Sequence, residues 1–281
     1  MNKDQIIADI LTWMQTMEIG SGDLTTESVA PYALHTRGFV RTGSDGLFFG
    51  RRIIGMLFGD AGSQLNINWA VEELQAVTAG QELFAFEGNG ALVLNRQRLI
   101  DWIIGRLSGV AGLVRKTADS LNQHGKLLIA GNWVSPVFEA LDREAFEAGG
   151  GQFGHHGLED RLYIRPLHIA YAGIQLPEVV ARVNSELGPA RKAIKIEIEV
   201  NNWEQFMIAN RCDADVIHLV GLAPEEIDQV FQKGDPRLKP VLHLETLDDF
   251  RAHYADYYFR YCAIENLPLC IKPLKTEVII Q

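Results

Sequence analysis

Two carboxylates sit two residues apart in a short apolar run, Glu197-Ile198-Glu199-Val200, and are the first side chains in this sequence placed to do chemistry. Side chains alternate between the faces of a strand, so Glu197 and Glu199 share one face. A carboxylate at the C-terminal end of a parallel strand faces a ligand more often than a core. For Glu199 the alternative is an ion pair with a neighbouring strand residue; with their common parity, both acids cannot be read as buried. Arg98, Arg165 and His168 add two permanent cations and a titratable ring. Arg98 also reads as a surface residue on a strand-to-helix turn. His155, His156, Glu159 and His168 together suggest a metal site, but adjacent loop histidines rarely share one ion and no i, i+4 pair exists. A polar rim is the simpler reading. Cys212, Cys262 and Cys270 lie far from any paired metal-ligand spacing and read as buried reduced thiols. Tyr254, Tyr257, Tyr258 and Tyr261 recur at helical spacing and read as packing residues. Arg96, Arg98, Arg106, Arg115 and Lys116 form a basic concentration whose plain account is a solvated helix face.

The elements that must position these groups fall into two patterns. Residues 1–14 carry Ile6, Ile7, Ile10, Leu11 and Met14 at helical steps, broken by Asp4 and Asp9. Up to about residue 100 the chain reads as a mixed α+β region, with apolar stretches at Gly38–Val40, Gly46–Phe49 and Ala91–Leu94 between Gly, Asp and Ser turns. From Arg98 to Gln123, Ile100, Ile103, Ile104, Leu107, Val110, Ala111 and Val114 recur at steps of three and four, predicting a long helix. After Gly125 strands and helices alternate. Strands are expected at Lys126–Ala130, Leu162–Ile164, Lys195–Val200, Val216–Val220 and Val241–Leu244, with a last one at Pro268–Ile271 or Thr276–Ile280. Helices are expected around Val137–Ala145, Leu176–Leu187, Trp203–Asn210, after Pro224 and around Asp248–Tyr258. Such alternation implies parallel βαβ units. Chemistry then belongs in the loops after Ala130, Arg165, Glu199, Val220 and Glu245.

At 281 residues the chain has room for two domains, and 47% hydrophobic with 22% charged residues is ordinary for a globular protein. A net charge of −10 argues against nonspecific nucleic-acid binding and, more weakly, against polyanionic ligands. No run reaches the length a membrane span needs, and the N-terminus lacks the order of a signal peptide, so a cytoplasmic location is expected.

Several segments, in order and at matching intervals, resemble the quinolinate-type (type II) phosphoribosyltransferases, including the subgroup of molybdate-transport-associated pyrophosphorylases. They are Gly22-Asp23-Leu24-Thr25-Thr26, then Gln97-Arg98 ahead of Leu107-Ser108-Gly109, then Gly149-Gly150-Gly151 followed by Gly157-Leu158 and Asp160. His168 follows at the end of a strand and loop, then Glu197-Ile198-Glu199-Val200, then Pro224-Glu225-Glu226. The pyrophosphorylase subgroup is suggested by Arg165-Pro166-Leu167-His168. The likeness spans roughly residues 20–230 and implies an N-terminal α+β domain (1–108) followed by a small parallel α/β barrel (109–281), complete or incomplete. The final residues are free to return to the first domain. It further implies a homodimer in which Arg98 reaches a substrate carboxylate across the interface.

The reaction of that family joins a pyridine dicarboxylate to phosphoribosyl pyrophosphate with release of pyrophosphate and carbon dioxide. Holding two such anions takes several arginines or lysines, carboxylates for magnesium, and glycine-rich amide loops. This sequence departs from the family at most of those positions. An Arg–Lys pair is replaced at Asn132-Trp133, a His-Arg at Gly154-His155 or His155-His156, a lysine at Arg165, a carboxylate at Val220 and a phosphate loop at Thr246-Leu247-Asp248. Four lost charge-assisted hydrogen bonds at about 1.5–3 kcal/mol each remove roughly 6–12 kcal/mol, as much as the roughly 8 kcal/mol that bind a micromolar ligand. Expected, therefore, is a divergent transferase acting on an altered, less anionic substrate. Its site would comprise Arg98 and Glu199 as catalytic groups, with Asn132, Trp133, His155, Arg165 and His168 as further substrate contacts. No resident metal ligands are assigned, and magnesium enters only if the transferase reading holds. The alternative is a catalytically inactive descendant that keeps fold and dimer and binds a small ligand or a protein partner.

Overall fold

The computed structural model of the chain describes residues 2–29, 34–59, 64–131, 133, 135–154, 157–234 and 240–281. Its strands in chain order are β1 (His35–Thr42), β2 (Gly46–Leu47), β3 (Leu65–Trp69), β4 (Ala76–Val77), β5 (Glu82–Asn89), β6 (Leu127–Ile129), β7 (Leu162–Ile164), β8 (Ile196–Val200), β9 (Val216–Val220), β10 (Val241–Leu244), β11 (Tyr261–Ile264) and β12 (Thr276–Ile280). The chain divides into two compact units. One comprises Met1–Lys116, Val134–Gly150 and Pro268–Gln281; the other comprises Thr117–Trp133 and Gly151–Leu267.

The first unit is built on an antiparallel sheet ordered β12-β1-β5-β3. Its helix Lys3–Ile19 buries Ile7, Ile10, Leu11 and Met14, and the helix Gln97–Asn122 buries the whole stripe from Ile100 to Val114 that periodicity picks out. Ala91–Leu94, read from the sequence as an apolar stretch, is the body of a short helix, Gly90–Leu94. The Asn89 side chain accepts from the Ala91 amide and so starts the helical turn. The basic concentration is not one solvated face either. Arg106 grips the fully buried Asp142 through Nε and Nη2 at 2.7 and 2.6 Å. Arg115 donates to the carbonyls of Ala148 and Gly149, the end of the helix Glu139–Ala148.

The glycine triplet Gly149-Gly150-Gly151 has a local explanation. A Cβ on Gly149 would lie 2.8 Å from the Ala111 carbonyl oxygen and from Val114 Cβ, and Gly150 has φ of 100°. Close approach of the chain to a helix accounts for the first glycine and backbone handedness for the second.

The second unit is a six-stranded parallel sheet ordered β6-β11-β10-β9-β8-β7, extended beyond β6 by an isolated parallel bridge between Ile129 and Gln152. Among the described residues no ladder joins β6 to β7. An N-terminal α+β region and a parallel α/β unit thus bear out the fold class read from the sequence. Helices Leu176–Leu187, Trp203–Ala209 and Pro224–Lys233 follow β7, β8 and β9. Prolines in the first turns of the helices at Pro166, Leu176 and Pro224 fit there because those amides have no intrahelical partner.

The end of the chain differs from the sequence expectation. The sixth parallel strand is Tyr261–Ile264, while Pro268–Ile271 forms no strand and Thr276–Ile280 pairs antiparallel with β1. Tyr261 therefore leaves the supposed helical tyrosine series, and Tyr258 is exposed rather than packed. Of the three free cysteines only Cys262 is buried; Cys270 is exposed and Cys212 half-buried.

Candidate functional site

Parity places the chemistry. On β8 Glu197 and Glu199 face the same way; cross-strand register sets Glu197 beside Tyr163 of β7 and Glu199 beside His218 of β9. Val220 lies beside His243 of β10, and His243 beside Ala263 of β11. This common face and the loops at the strand ends enclose a cavity of about 740 Å³. Its wall is apolar over Ile129, Leu162, Ile164, Val179, Val183 and Val220. Its polar groups are Arg161, Tyr163, Arg165, His168, Glu199, His218, His243 and Glu265. Leu158 and Arg165 at the rim are exposed, so the cavity communicates with solvent.

Two polar clusters occupy it. In the outer one, the Tyr163 hydroxyl donates to Glu199 Oε2 at 3.1 Å, and Arg165 Nε lies 3.6 Å from the same oxygen. The guanidinium carbons of Arg161 and Arg165 lie 5.0 and 4.9 Å from the Tyr163 ring centroid. Burial first, and then the Glu199 charge, push the Tyr163 hydroxyl's pKa above its ordinary value, so it stays a donor. The inner cluster runs across four strands. Arg161 pairs with Glu197; Glu197 Oε2 lies 2.8 Å from His218 Nε2, His218 Nδ1 lies 2.9 Å from His243 Nε2, and His243 Nδ1 lies 2.6 Å from Glu265 Oε1. Burial pushes the His218 pKa down and favours a neutral ring.

The amides just beyond the strand ends are already engaged by the chain's own side chains. After β7 the Arg165 amide donates to His168 Nδ1 at 3.0 Å. After β8 and β9 the Trp203 and Ala223 amides donate to the two oxygens of Glu226, each at 2.9 Å. After β10 the Thr246 amide and hydroxyl donate to Asp249 Oδ2 at 2.9 and 2.7 Å. Asp248, the residue expected to occupy a former phosphate position, instead turns to Arg251 at the surface.

Of the site residues anticipated from sequence, Glu199, Arg165 and His168 come together on this cavity. Arg98 belongs to the other unit, where it is 83% exposed, sits 3.2 Å from Glu18 and lines a groove with Trp13, Trp102 and Phe138. Trp133 is 6% exposed and is not on the cavity wall. Asn132 and His155 lie outside the described residues. Arg161, Tyr163, His218, His243 and Glu265 are not singled out as site residues by the sequence, which marks Glu197 only as sharing the face of Glu199. The available signal was parity: His218 and His243 interrupt apolar strands at positions that register with the Glu197–Glu199 face.

Residues 110–246 match the family model described as quinolinate phosphoribosyl transferase, C-terminal domain. A probable nicotinate-nucleotide pyrophosphorylase [carboxylating] from Methanocaldococcus jannaschii is 25% identical over 254 residues, 85% of each chain. One from Bacillus subtilis is 26% identical over 244 residues, covering 85% of this chain and 83% of its own. The solved structure of the nicotinate-nucleotide pyrophosphorylase from Francisella tularensis superposes with a TM-score of 0.87 at 21% identity, over 100% of this chain and 98% of that one. At that identity the superposition speaks for the fold.

Proposed function

We propose that the chain is a divergent member of the quinolinate phosphoribosyltransferase family, as its match over residues 110–246 and its relatives support, and that it transfers a phosphoribosyl group to a small acceptor of lower negative charge than a pyridine dicarboxylate. One observation carries this reading. The cations described along the cavity, Arg161 and Arg165, are matched by Glu197, Glu199 and Glu265. A receptor for two polyanions needs an excess of positive charge. This wall has none to spare, and its apolar sector suits a neutral ring. Glu199, Arg165 and His168 are the acceptor contacts in this reading. Arg98, exposed in the first unit, reaches the cavity of a second copy in a homodimer of the kind the family resemblance implies.

With the transferase reading magnesium enters with the pyrophosphate of the donor, as its counterion.

A second reading, ligand binding without transfer, is favoured by the engaged amides after β7, β8, β9 and β10. Amides at helix N-termini are natural phosphate sites, and here they donate to His168, Glu226 and Asp249. Thermal melting with millimolar phosphoribosyl pyrophosphate and magnesium decides between the two readings. The transferase reading expects stabilisation that grows with concentration. Absence of a shift with that compound and with quinolinate leaves the binding reading.

A further inference from the structure

The chain Glu197–His218–His243–Glu265 contains three successive contacts of 2.8, 2.9 and 2.6 Å between oxygen and nitrogen atoms. Each contact at that distance needs one proton between its heavy atoms; otherwise two lone pairs face each other. Two neutral imidazoles supply two protons. The third contact requires one more, whichever tautomers the rings adopt.

The surroundings locate that proton. Arg161 forms an ion pair with Glu197, so His218 donates to that carboxylate through Nε2 and its Nδ1 accepts from His243 Nε2. His218 is almost wholly buried and packs edge-on against Tyr163, which disfavours an imidazolium there. The remaining place is the shortest contact, between His243 Nδ1 and Glu265 Oε1, both of which line the cavity. Among the described residues, the charged and titratable groups facing this chain include Arg161 and Tyr163 beside His218, with Glu199, Arg165 and His168 along the same cavity. From the β6 side the described wall residues Ile129, Ala130 and Gly131 bring no charge.

We propose that Glu197, His218, His243 and Glu265 form a proton relay holding one proton more than two neutral imidazoles supply, and that its Glu265 end gives this proton to a neutral ligand presenting a ring nitrogen or a carbonyl oxygen. In the transfer the bond to the shared proton breaks at the His243–Glu265 contact, and an N–H or O–H bond forms on the ligand. The relay is left with two neutral imidazoles. Glu265, now a carboxylate, accepts the hydrogen bond from the protonated ligand, and Arg161 remains as counterion of Glu197. Glu265 is the group that meets the ligand; His243, His218 and Glu197 are positioning residues that set its proton affinity. The acid role rests on the cavity being a ligand site, whereas the proton count does not.

Nitrogen-15 NMR of the histidine rings in the full chain, without ligand at neutral pH, tests the count. Signals are assigned by loss in His218→Gln and His243→Gln. The expected result is three protons on the chain, one on His218 Nε2, one on His243 Nε2 and a third shared between His243 Nδ1 and Glu265. Glu265→Gln brings its own amide donor to His243 Nδ1 and removes the need for the extra proton, so the count falls to two. Two neutral rings beside an ionised Glu265, the latter read from its carboxyl carbon-13 shift, overturn the relay without any variant having to fold. Excess pyridine then tests the acid role. Conversion of bound pyridine to its protonated form in the unaltered protein and not in Glu265→Gln supports it. A count of three with pyridine left neutral refutes the acid role while leaving the phosphoribosyl reading to its own melting experiment.

Discussion

Asp142 offers the most quantitative check on the structural reasoning. Its carboxylate is fully buried and receives two hydrogen bonds from Arg106, at 2.7 and 2.6 Å, while the Arg106 Nη2 lies 3.3 Å from the Ser135 hydroxyl. Replacing Asp142 by Ala leaves a guanidinium in a partly buried place without its bidentate acceptor. Removing one partner of a buried ion pair costs about 3–5 kcal/mol, in line with two charge-assisted hydrogen bonds at about 1.5–3 kcal/mol each. At roughly 2–4 °C per kcal/mol for a protein of this size, Asp142→Ala should lower Tm by roughly 6–20 °C. The paired change Arg106→Met with Asp142→Leu removes both charges and should recover most of that loss, since apolar replacement of a buried pair is often neutral. Differential scanning calorimetry of Arg106→Met, Asp142→Leu and the double variant closes a thermodynamic cycle, with Asp142→Ala measured beside it as the reference loss. A loss of under about 2 °C in Asp142→Ala would refute the argument. So would a double variant no more stable than Asp142→Ala.

Gly149→Ala brings a Cβ to 2.8 Å from the Ala111 carbonyl and Val114; a destabilisation of about 1–3 kcal/mol in urea unfolding is expected. For Glu144, burial works to raise the pKa, but Lys3 and Arg52, at 2.5 and 2.9 Å, overturn it and hold the carboxyl below its ordinary value. A depressed carboxyl pKa contributes stability that is complete above the unfolded value and lost as pH falls through the folded one. The stability gap between the unaltered protein and Glu144→Gln should therefore be full at neutral pH and close in the acid range, as read by melting at stepped pH. Burial pushes the Cys262 thiol up to about 12, whereas Cys270 is exposed. Iodoacetamide should alkylate Cys270 in the folded protein and reach Cys262 only after denaturation, as followed by mass spectrometry.

Periodicity made most of the fold legible. The stripe from Ile100 to Val114 and the apolar runs at β8 and β9 are buried where the sequence says they should be. Legibility failed where local pattern and tertiary partner disagree. Tyr261–Ile264 is four residues behind an aromatic helical-looking series, and its strand character comes from pairing with β10 and β6. Thr276–Ile280 has ample β-propensity, but nothing in its own residues says that it pairs with β1 rather than with the parallel sheet. The site was half legible. Glu199, Arg165 and His168 could be found from strand ends and motif order. The relay could not, because each of its members looks ordinary alone and its meaning arises only when four strands set Glu197, His218, His243 and Glu265 side by side.

The pairing of Thr276–Ile280 with His35–Thr42 also sets a timetable for synthesis. The second unit, whose residues end at Leu267, has wholly left the peptidyl-transferase centre before the edge strand of the first has been made. With elongation at roughly 5–20 residues per second, the β1 edge waits on the order of ten seconds or more for its partner. During that interval the Gly38–Thr42 stretch is an open template for other strands. Nascent-chain binding factors and expression rate should therefore affect the yield of this protein through the first unit, although that unit is begun first.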